Sequence, residues 1–363
     1  MTAGKKILFV CPYPPGQSPS QRFRFEQYFQ VLRENGFSFS VHPFLDEATW
    51  QILYRPGNAW RKLAGTLRGF GKRLVLLFSA SSAGIIFIHR EATPVGPPVV
   101  EFVLARILKK KIIYDFDDAI WLPDPGGHNA WLQGFKWHRK VRAICRWSYA
   151  VSCGNDYLAD YARQFNARVR VNPTTLDTEG LHNPATHEKK KNSDLLTIGW
   201  TGTHSTLKYL EPLAPVLAEI EALFRGKVDF VVIADEKPRF ALPSLRFVRW
   251  TRETEIDDLL KIDIGIMPLV ADPWANGKCG FKALQYMALE IPAVASPVGV
   301  TVRIIDPEEN GYLPDTLTDW KSCLAHLIQD ATARKKMGEK GRKKVVAHYS
   351  LLSNAANFLS LFE

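Results

Sequence analysis

Cysteine is scarce in this chain, and what there is does not pair by spacing. The 363 residues hold five, Cys11, Cys145, Cys153, Cys279 and Cys323, with no C-x-x-C among them. An odd, scattered set argues against a disulfide framework or a zinc site and fits a reducing cytosol. Long apolar runs are missing too. Leu74–Ile88, the most apolar later stretch, is interrupted by Ser79, Ser81, Ser82 and Gly84 and is too short to span a bilayer. Lys5 and Lys6 precede only Ile7–Val10, which reads as a first strand and not as a secretory leader. A cytoplasmic protein is expected, with the inner face of the cell membrane open as a second location.

Acid is absent over a long stretch. Between Ala48 and Arg90 no Asp or Glu occurs, while Arg55, Arg61, Lys62, Arg68, Lys72, Arg73 and Arg90 do, interleaved with Trp50, Tyr54, Trp60 and Phe70. In a chain of net charge +10, cations among interfacial aromatics suit an anionic membrane surface or an anionic, lipid-linked acceptor. A solvated helix face beside core aromatics accounts for residues 48–90 equally well, and both readings stay open. No nucleic acid is expected as a partner, because no known binding module is readable.

What is present is ordinary globular material, 46% apolar and 23% charged, in a length that suits two domains. Short β-rich runs alternate with helical ones. Strands are expected at Ile7–Pro12, Phe37–Val41, Ile85–His89, Lys111–Phe116, Ala150–Ser152 and Val169–Val171. Between them, helices are expected at Gln21–Asn35, Val99–Leu108, from near Trp131 through Trp147, and Tyr157–Phe165. The polar, charged stretch His182–Asp194 reads as a linker. A second alternation comes after it, with strands Leu196–Trp200, Val228–Ala234, Leu245–Val248, Ile264–Pro268 and Ala293–Ser296. Its helices are Leu207–Leu223, Glu255–Leu260, Trp320–Gln329 and a basic one from Thr332. The fold class is α/β, two Rossmann-like doubly wound domains facing a cleft. The expected division is 1–181, linker 182–194, 195–345, and a C-terminal helix in 346–363 packing back toward the N-terminal domain.

Four constellations could carry chemistry. The loop after the first strand, Cys11–Arg24, is not a G-x-G-x-x-G turn; it holds Gly16, and it ends on Arg22 and Arg24, where the opening of a helix disfavours cations and an anionic partner would relieve the cost. Asp115, Asp117 and Asp118 end the fourth strand, and three carboxylates so close need water, cations or donors. Asp115 reads best as a turn or cap carboxylate, and His89 and Arg90, ending the strand before, border the same pocket. Gly199–Lys208 runs a strand into a Gly/Thr/Ser loop without a P-loop signature and offers phosphate the donors of Thr201, Gly202, Thr203 and His204. Finally, Lys278-Cys279-Gly280-Phe281-Lys282 leads through Gln285 to Gly299, a polar loop feeding a helix start, where a diphosphate binds. Lys278 and Lys282 share one face if the segment is helical.

This last block resembles the donor signature of retaining glycosyltransferases of family 4, with Gly277 and Gln285 where the family has two glutamates. The strand-one loop, Asp117-Asp118, Asn172–Asp177, the Gly-Thr loop and Asn310-Gly311 extend the resemblance over the chain. It implies a GT-B fold and metal-independent transfer of a sugar from a nucleotide-diphosphate donor to a glycan or lipid-linked hydroxyl, with retention and no cofactor. By resemblance, Asp117, Asp118, Lys208 and Lys278 are catalytic, with Asp117 orienting the acceptor hydroxyl or accepting its proton. Gly16, Thr201–His204, Cys279–Lys282 and Gln285 bind the donor; Arg22, Arg24, His89 and Arg90 bind the acceptor. Two other readings stay open: a catalytically idle glycan- or nucleotide-binding subunit, and a nucleotide-sugar epimerase.

Overall fold

Two all-parallel sheets of six strands organise the chain. The computed structural model describes residues 6–53, 55, 57–123, 137–188 and 194–363. By its contacts the chain divides into unit 1, up to Thr175 together with Asn354–Glu363, and unit 2, Leu176–Ser353. The boundary thus falls at Thr175, ahead of the stretch expected as a linker. Residues 182–188 fold within unit 2, where the His182 carbonyl accepts from Arg342 Nη1 at 2.9 Å; residues 189–193 and Trp131 lie outside the described residues.

Unit 1 has the strand order β2-β1-β3-β4-β5-β6. The strands are β1 Lys6–Cys11, β2 Ser38–Pro43, β3 Ile85–His89, β4 Lys111–Phe116, β5 Ala150–Cys153 and β6 Val169–Val171. β1, β3, β4 and β5 are buried along nearly their whole length, which is why they read as unbroken apolar runs. Phe9 sits opposite Val41 of β2 and Phe87 of β3, and its ring stacks on Phe25 at 5.1 Å. The helices are α1 Pro19–Arg24, α2 Phe29–Glu34, α3 Glu47–Leu53, α4 Ala59–Ser79, α5 Val99–Phe102, α6 Lys140–Trp147 and α7 Asp156–Arg163.

The single helix expected over 21–35 is broken at Phe25, whose φ of −143° leaves the helical region. That break sends the Phe25 ring into the aromatic core and turns Arg24 toward β4. Val99–Leu108 is likewise shorter than expected as an α-helix: after α5 the backbone widens into a π-turn over Val103–Ile107. Residues 354–363, which include most of α16 (Leu351–Leu359), complete this core. Phe358 stacks on Tyr28 at 4.1 Å and Phe362 lies 6.1 Å from Phe87.

Unit 2 has the order β12-β11-β10-β7-β8-β9. Its strands are β7 Leu196–Thr201, β8 Val228–Ala234, β9 Leu245–Arg249, β10 Ile264–Met267, β11 Ala293–Ala295 and β12 Gly311–Tyr312. Its helices are α8 His204–Leu210, α9 Ala214–Leu223, α10 Glu255–Leu259, α11 Pro273–Asn276, α12 Phe281–Ala288, α13 Thr301–Ile304, α14 Leu317–Gln329 and α15 Ala331–His348. The helix expected over 207–223 is two, joined by a tight turn at Glu211–Leu213 that holds Pro212. In each sheet the order reverses once, at β1/β3 in unit 1 and at β7/β10 in unit 2. Diverging connections at such a point open a crevice beyond the carboxyl ends of the strands.

Candidate functional site

In unit 1 the β1/β3 switch point is lined by a buried charge network. Asp115, last but one in β4, has no exposed surface. It faces His89 Nδ1 at 2.8 Å, accepts from Ser152 Oγ at 2.6 Å, and is ion-paired with Arg24, whose Nε lies 3.3 Å from Oδ2. Burial alone would raise this carboxyl, but the Arg24 charge and the bond to His89 outweigh it and hold it below the ordinary range. An ionised Asp115 accepts, so His89 Nδ1 carries the proton facing it. On the other side of the ring, His89 Nε2 lies 2.8 Å from Ser20 Oγ.

This corrects two expectations. Asp115 is no turn or cap carboxylate but the centre of the network, because β4 carries it into the sheet. Arg24 does not wait for an acceptor: it is fully buried and also donates to the Asn172 carbonyl. Arg22 is nearly buried, its guanidinium 4.8 Å from the Phe23 ring centroid. Gly16 (φ 79°) donates its N–H to Glu26 Oε2 at 2.8 Å, which ties the strand-one loop to the turn that follows α1.

Beyond the buried layer lies a more open one. Arg90 follows β3 in the left-handed region, φ 60°, an uncommon conformation for a side-chain-bearing residue that tends to cluster at functional sites. Its backbone N–H donates to the Asp115 carbonyl at 2.7 Å. The side chain turns onto both neighbouring carboxylates, Nε 2.8 Å from Asp117 Oδ1 and Nη2 2.5 Å from Asp118 Oδ2. Burial pushes the Asp117 carboxyl up; the charges of Arg90, His89 and Arg24 and the Ser20 hydroxyl push it further down, so it stays ionised well below the usual range. A carboxylate so stabilised is a poor proton acceptor and a good fixed acceptor of hydrogen bonds.

In unit 2 the switch point is held open by one side chain. β7 and β10 pair through Ile198–Ile264 and Gly199–Gly265, then part. Tyr286 of α12 spans the opening: its hydroxyl accepts the Thr201 N–H at 2.9 Å and donates to the Ile266 carbonyl at 3.4 Å. A Cβ on Gly265 would fall 2.3 Å from the Tyr286 ring, so glycine there makes room for the bridge. A second tie joins the two loops: Tyr209 Oη donates to Asp272 Oδ2 at 3.3 Å, and the Tyr209 ring packs with Ala275, Val298 and Leu269. Sequence reasoning missed both tyrosines, which carry no motif; their partners are distant in the chain.

The donors expected at Thr201–His204 are largely committed. Gly202 N–H goes to the Ile233 carbonyl at 3.0 Å, Thr203 N–H to Thr206 Oγ1 at 3.1 Å, and His204 N–H to Asp235 Oδ1 at 2.6 Å. Asp235 also holds His204 Nδ1 at 2.6 Å, and although burial opposes it, that bond keeps the Asp235 carboxyl low. Nor do Lys278 and Lys282 share a helix face: α12 begins only after Gly280, whose φ of 68° breaks the path between them. Lys278 Nζ sits 5.7 Å from the Trp274 ring and Lys282 Nζ 5.3 Å from the Trp200 ring. Lys208 Nζ lies 4.8 Å from the Tyr209 ring, beside the tie between the loops. Phe281 starts α12 and Cys279 is partly buried just before it. Gln285, expected to meet a ribose, is buried and donates to Glu255 Oε1 at 3.1 Å. Gly277 closes α11, its N–H on the Trp274 carbonyl at 3.1 Å.

Residues 195–330 match the family described as Glycosyl transferases group 1. A search of curated proteins found no match. Solved structures similar to this chain include a sucrose-phosphate synthase from Thermosynechococcus elongatus, 14% identical, covering 99% of this chain and 98% of its own, at a TM-score of 0.68. A glycosyltransferase from Rickettsia africae is 11% identical, covering 100% and 98%, at a TM-score of 0.70. HepE from Anabaena, in complex with UDP and glucose, is 11% identical, covering 99% of each chain, at a TM-score of 0.66. At these identities the likeness establishes the fold: two Rossmann-like domains of the GT-B type.

Proposed function

From the match of residues 195–330 to the glycosyl transferases group 1, we propose that the chain moves a hexosyl group from a nucleotide-diphosphate donor to a hydroxyl of a glycan or lipid-linked acceptor, in the cytoplasm and with retention. The observation that carries the reading is the unit 2 switch point. The loops after β7 and β10, tied by Tyr286 and Tyr209, bring Lys208, Lys278, Lys282 and the start of α12 to the end of the sheet where such folds bind nucleotides. The first turn of α12 has no acidic residue, which favours an anion at its N-terminus.

As the bond from the anomeric carbon to the diphosphate oxygen breaks, negative charge grows on the leaving group, and the lysines and helix start stabilise it there. The acceptor oxygen bonds to the same face of that carbon, and its proton passes to the departing phosphate oxygen. In unit 1 the Asp117, Asp118 and Arg90 group orients the acceptor hydroxyl; the low Asp117 carboxyl suits a hydrogen-bond acceptor better than a base. Arg90 takes up the charge of both carboxylates, which supports a metal-independent route.

A thermal-shift series with UDP, GDP, dTDP and ADP tests the donor site. One nucleotide at about 100 times its Kd should stabilise the native state by about 2.7 kcal/mol. For a unit of this size that is roughly a 5–10 °C rise in Tm. Lys278→Ala with Lys282→Ala should abolish it. A melting point unmoved by all four nucleotides at saturation refutes the assignment.

A further inference from the structure

α4 is built inside out. Its buried face is made of Gly65, Gly69, Arg73 and Leu76, while the large apolar residues point away from the protein. At 3.6 residues per turn, Trp60, Leu63, Leu67, Leu74, Val75 and Phe78 fall within about 120° of arc, opposite the buried face. All six are exposed, Trp60 and Phe78 each at 83%. Arg61, Arg68 and Lys72 line one flank of this stripe and are exposed as well, with Arg68 paired to Asp46.

The helix cannot roll to hide the stripe. Arg73 is buried and donates to three carbonyls, Ala92 at 2.6 Å, His42 at 2.9 Å and Cys11 at 2.9 Å, which fixes the helix by its opposite side. Gly65 and Gly69 set it close: a Cβ on either would strike Thr49 or Phe44 at less than 3 Å. No helix among the described residues is long and apolar enough to cross a membrane, so α4 is not a span.

We propose that the outward face of α4 docks on an anionic lipid surface, the helix lying in the plane of the interface. The apolar stripe enters the headgroup boundary, and Arg61, Arg68 and Lys72 meet the lipid charge. Charge decides the occupant: the chain places no acidic residue from Ala48 to Arg90, which suits anionic headgroups. The inference is independent of the donor chemistry, so its test uses no donor or acceptor.

The full chain is sedimented with vesicles of phosphatidylcholine alone or mixed with phosphatidylglycerol, at low and high salt. Binding to the mixed vesicles, weakened by salt, is expected. Arg61→Ala with Lys72→Ala should weaken it about 25-fold, roughly fivefold per cation. Leu67→Glu with Phe78→Glu should release the protein from both vesicles with an unchanged unfolding midpoint, since both side chains are exposed. No binding to either vesicle overturns the proposal, as does binding that survives Leu67→Glu with Phe78→Glu. A lipid-free dimer that this same double variant converts to a monomer also overturns it, because a second copy would then cover the stripe.

Discussion

Replacing Arg24 by methionine keeps the length of the side chain and removes the charge that Asp115 relies on. Both groups are fully buried, so the change leaves a carboxylate with only His89 and Ser152 beside it. Breaking a buried pair from one side costs about 3–5 kcal/mol. A domain holds only roughly 5–15 kcal/mol in all, so the loss is large. The dependence on pH separates this cause from lost packing. In the native protein the folded value of Asp115 lies below its unfolded value. Its contribution is therefore complete above the unfolded carboxyl value, about 3.9, and is lost as pH falls through the folded value. In the variant, burial prevails and the folded value rises, so its penalty grows as pH climbs. Acid should then close the gap between the two proteins, by up to about 1.4 kcal/mol per unit difference between their folded values. Urea unfolding at pH 4 and pH 7, with hydrogen exchange at the Ile113 and Tyr114 amides to isolate unit 1, measures both quantities. Adding Asp115→Asn to the variant should recover part of the loss. A cost under about 1 kcal/mol at pH 7, or an equal gap at both pH values, refutes the reasoning.

Two further outcomes are expected. Asp117→Asn should lower kcat about 100-fold or more while leaving the nucleotide-induced melting shift intact, because Asp117 lies in unit 1 and the donor loops in unit 2; an unchanged kcat removes Asp117 from the reaction. Gly280→Ala should cost about 1–3 kcal/mol in stability and weaken nucleotide binding, since its φ is 68° and a Cβ there would lie 2.2 Å from Ile304 Cδ1; a neutral result on both counts means that loop is not fixed as described.

The strands were legible because parallel sheets buried on both faces leave unbroken apolar runs, and Ile85–His89 and Lys111–Phe116 appear with the expected bounds. The site was legible in part. Sequence pointed to the loops after β7 and β10, but not to Tyr286 and Tyr209 that join them or to Asp235 that caps one of them. Each is a lone residue whose role depends on a partner many positions away. Arg24 and Asp115 are 91 residues apart, and no local pattern links them. α4 was illegible for another reason. Periodicity is read on the assumption that apolar residues face the core, and here two glycines and an arginine take three of the four buried positions, with Leu76 the fourth. The Gln21–Asn35 helix was over-extended because propensity does not register that the Phe25 ring and the Arg24 guanidinium must both reach the sheet.

Unit 1 closes its aromatic core with residues 354–363, and all of unit 2 lies between them and the rest of that unit. During synthesis, therefore, residues 176–353 can complete their sheet while Tyr28 and Phe87 still lack Phe358 and Phe362. The later unit in sequence is the first whose residues have all been made, and the first unit lacks part of its core until residues 354–363 emerge. In such a protein a nonsense codon at or before Phe358 is not a trimming of the tail but a failure to seal the beginning.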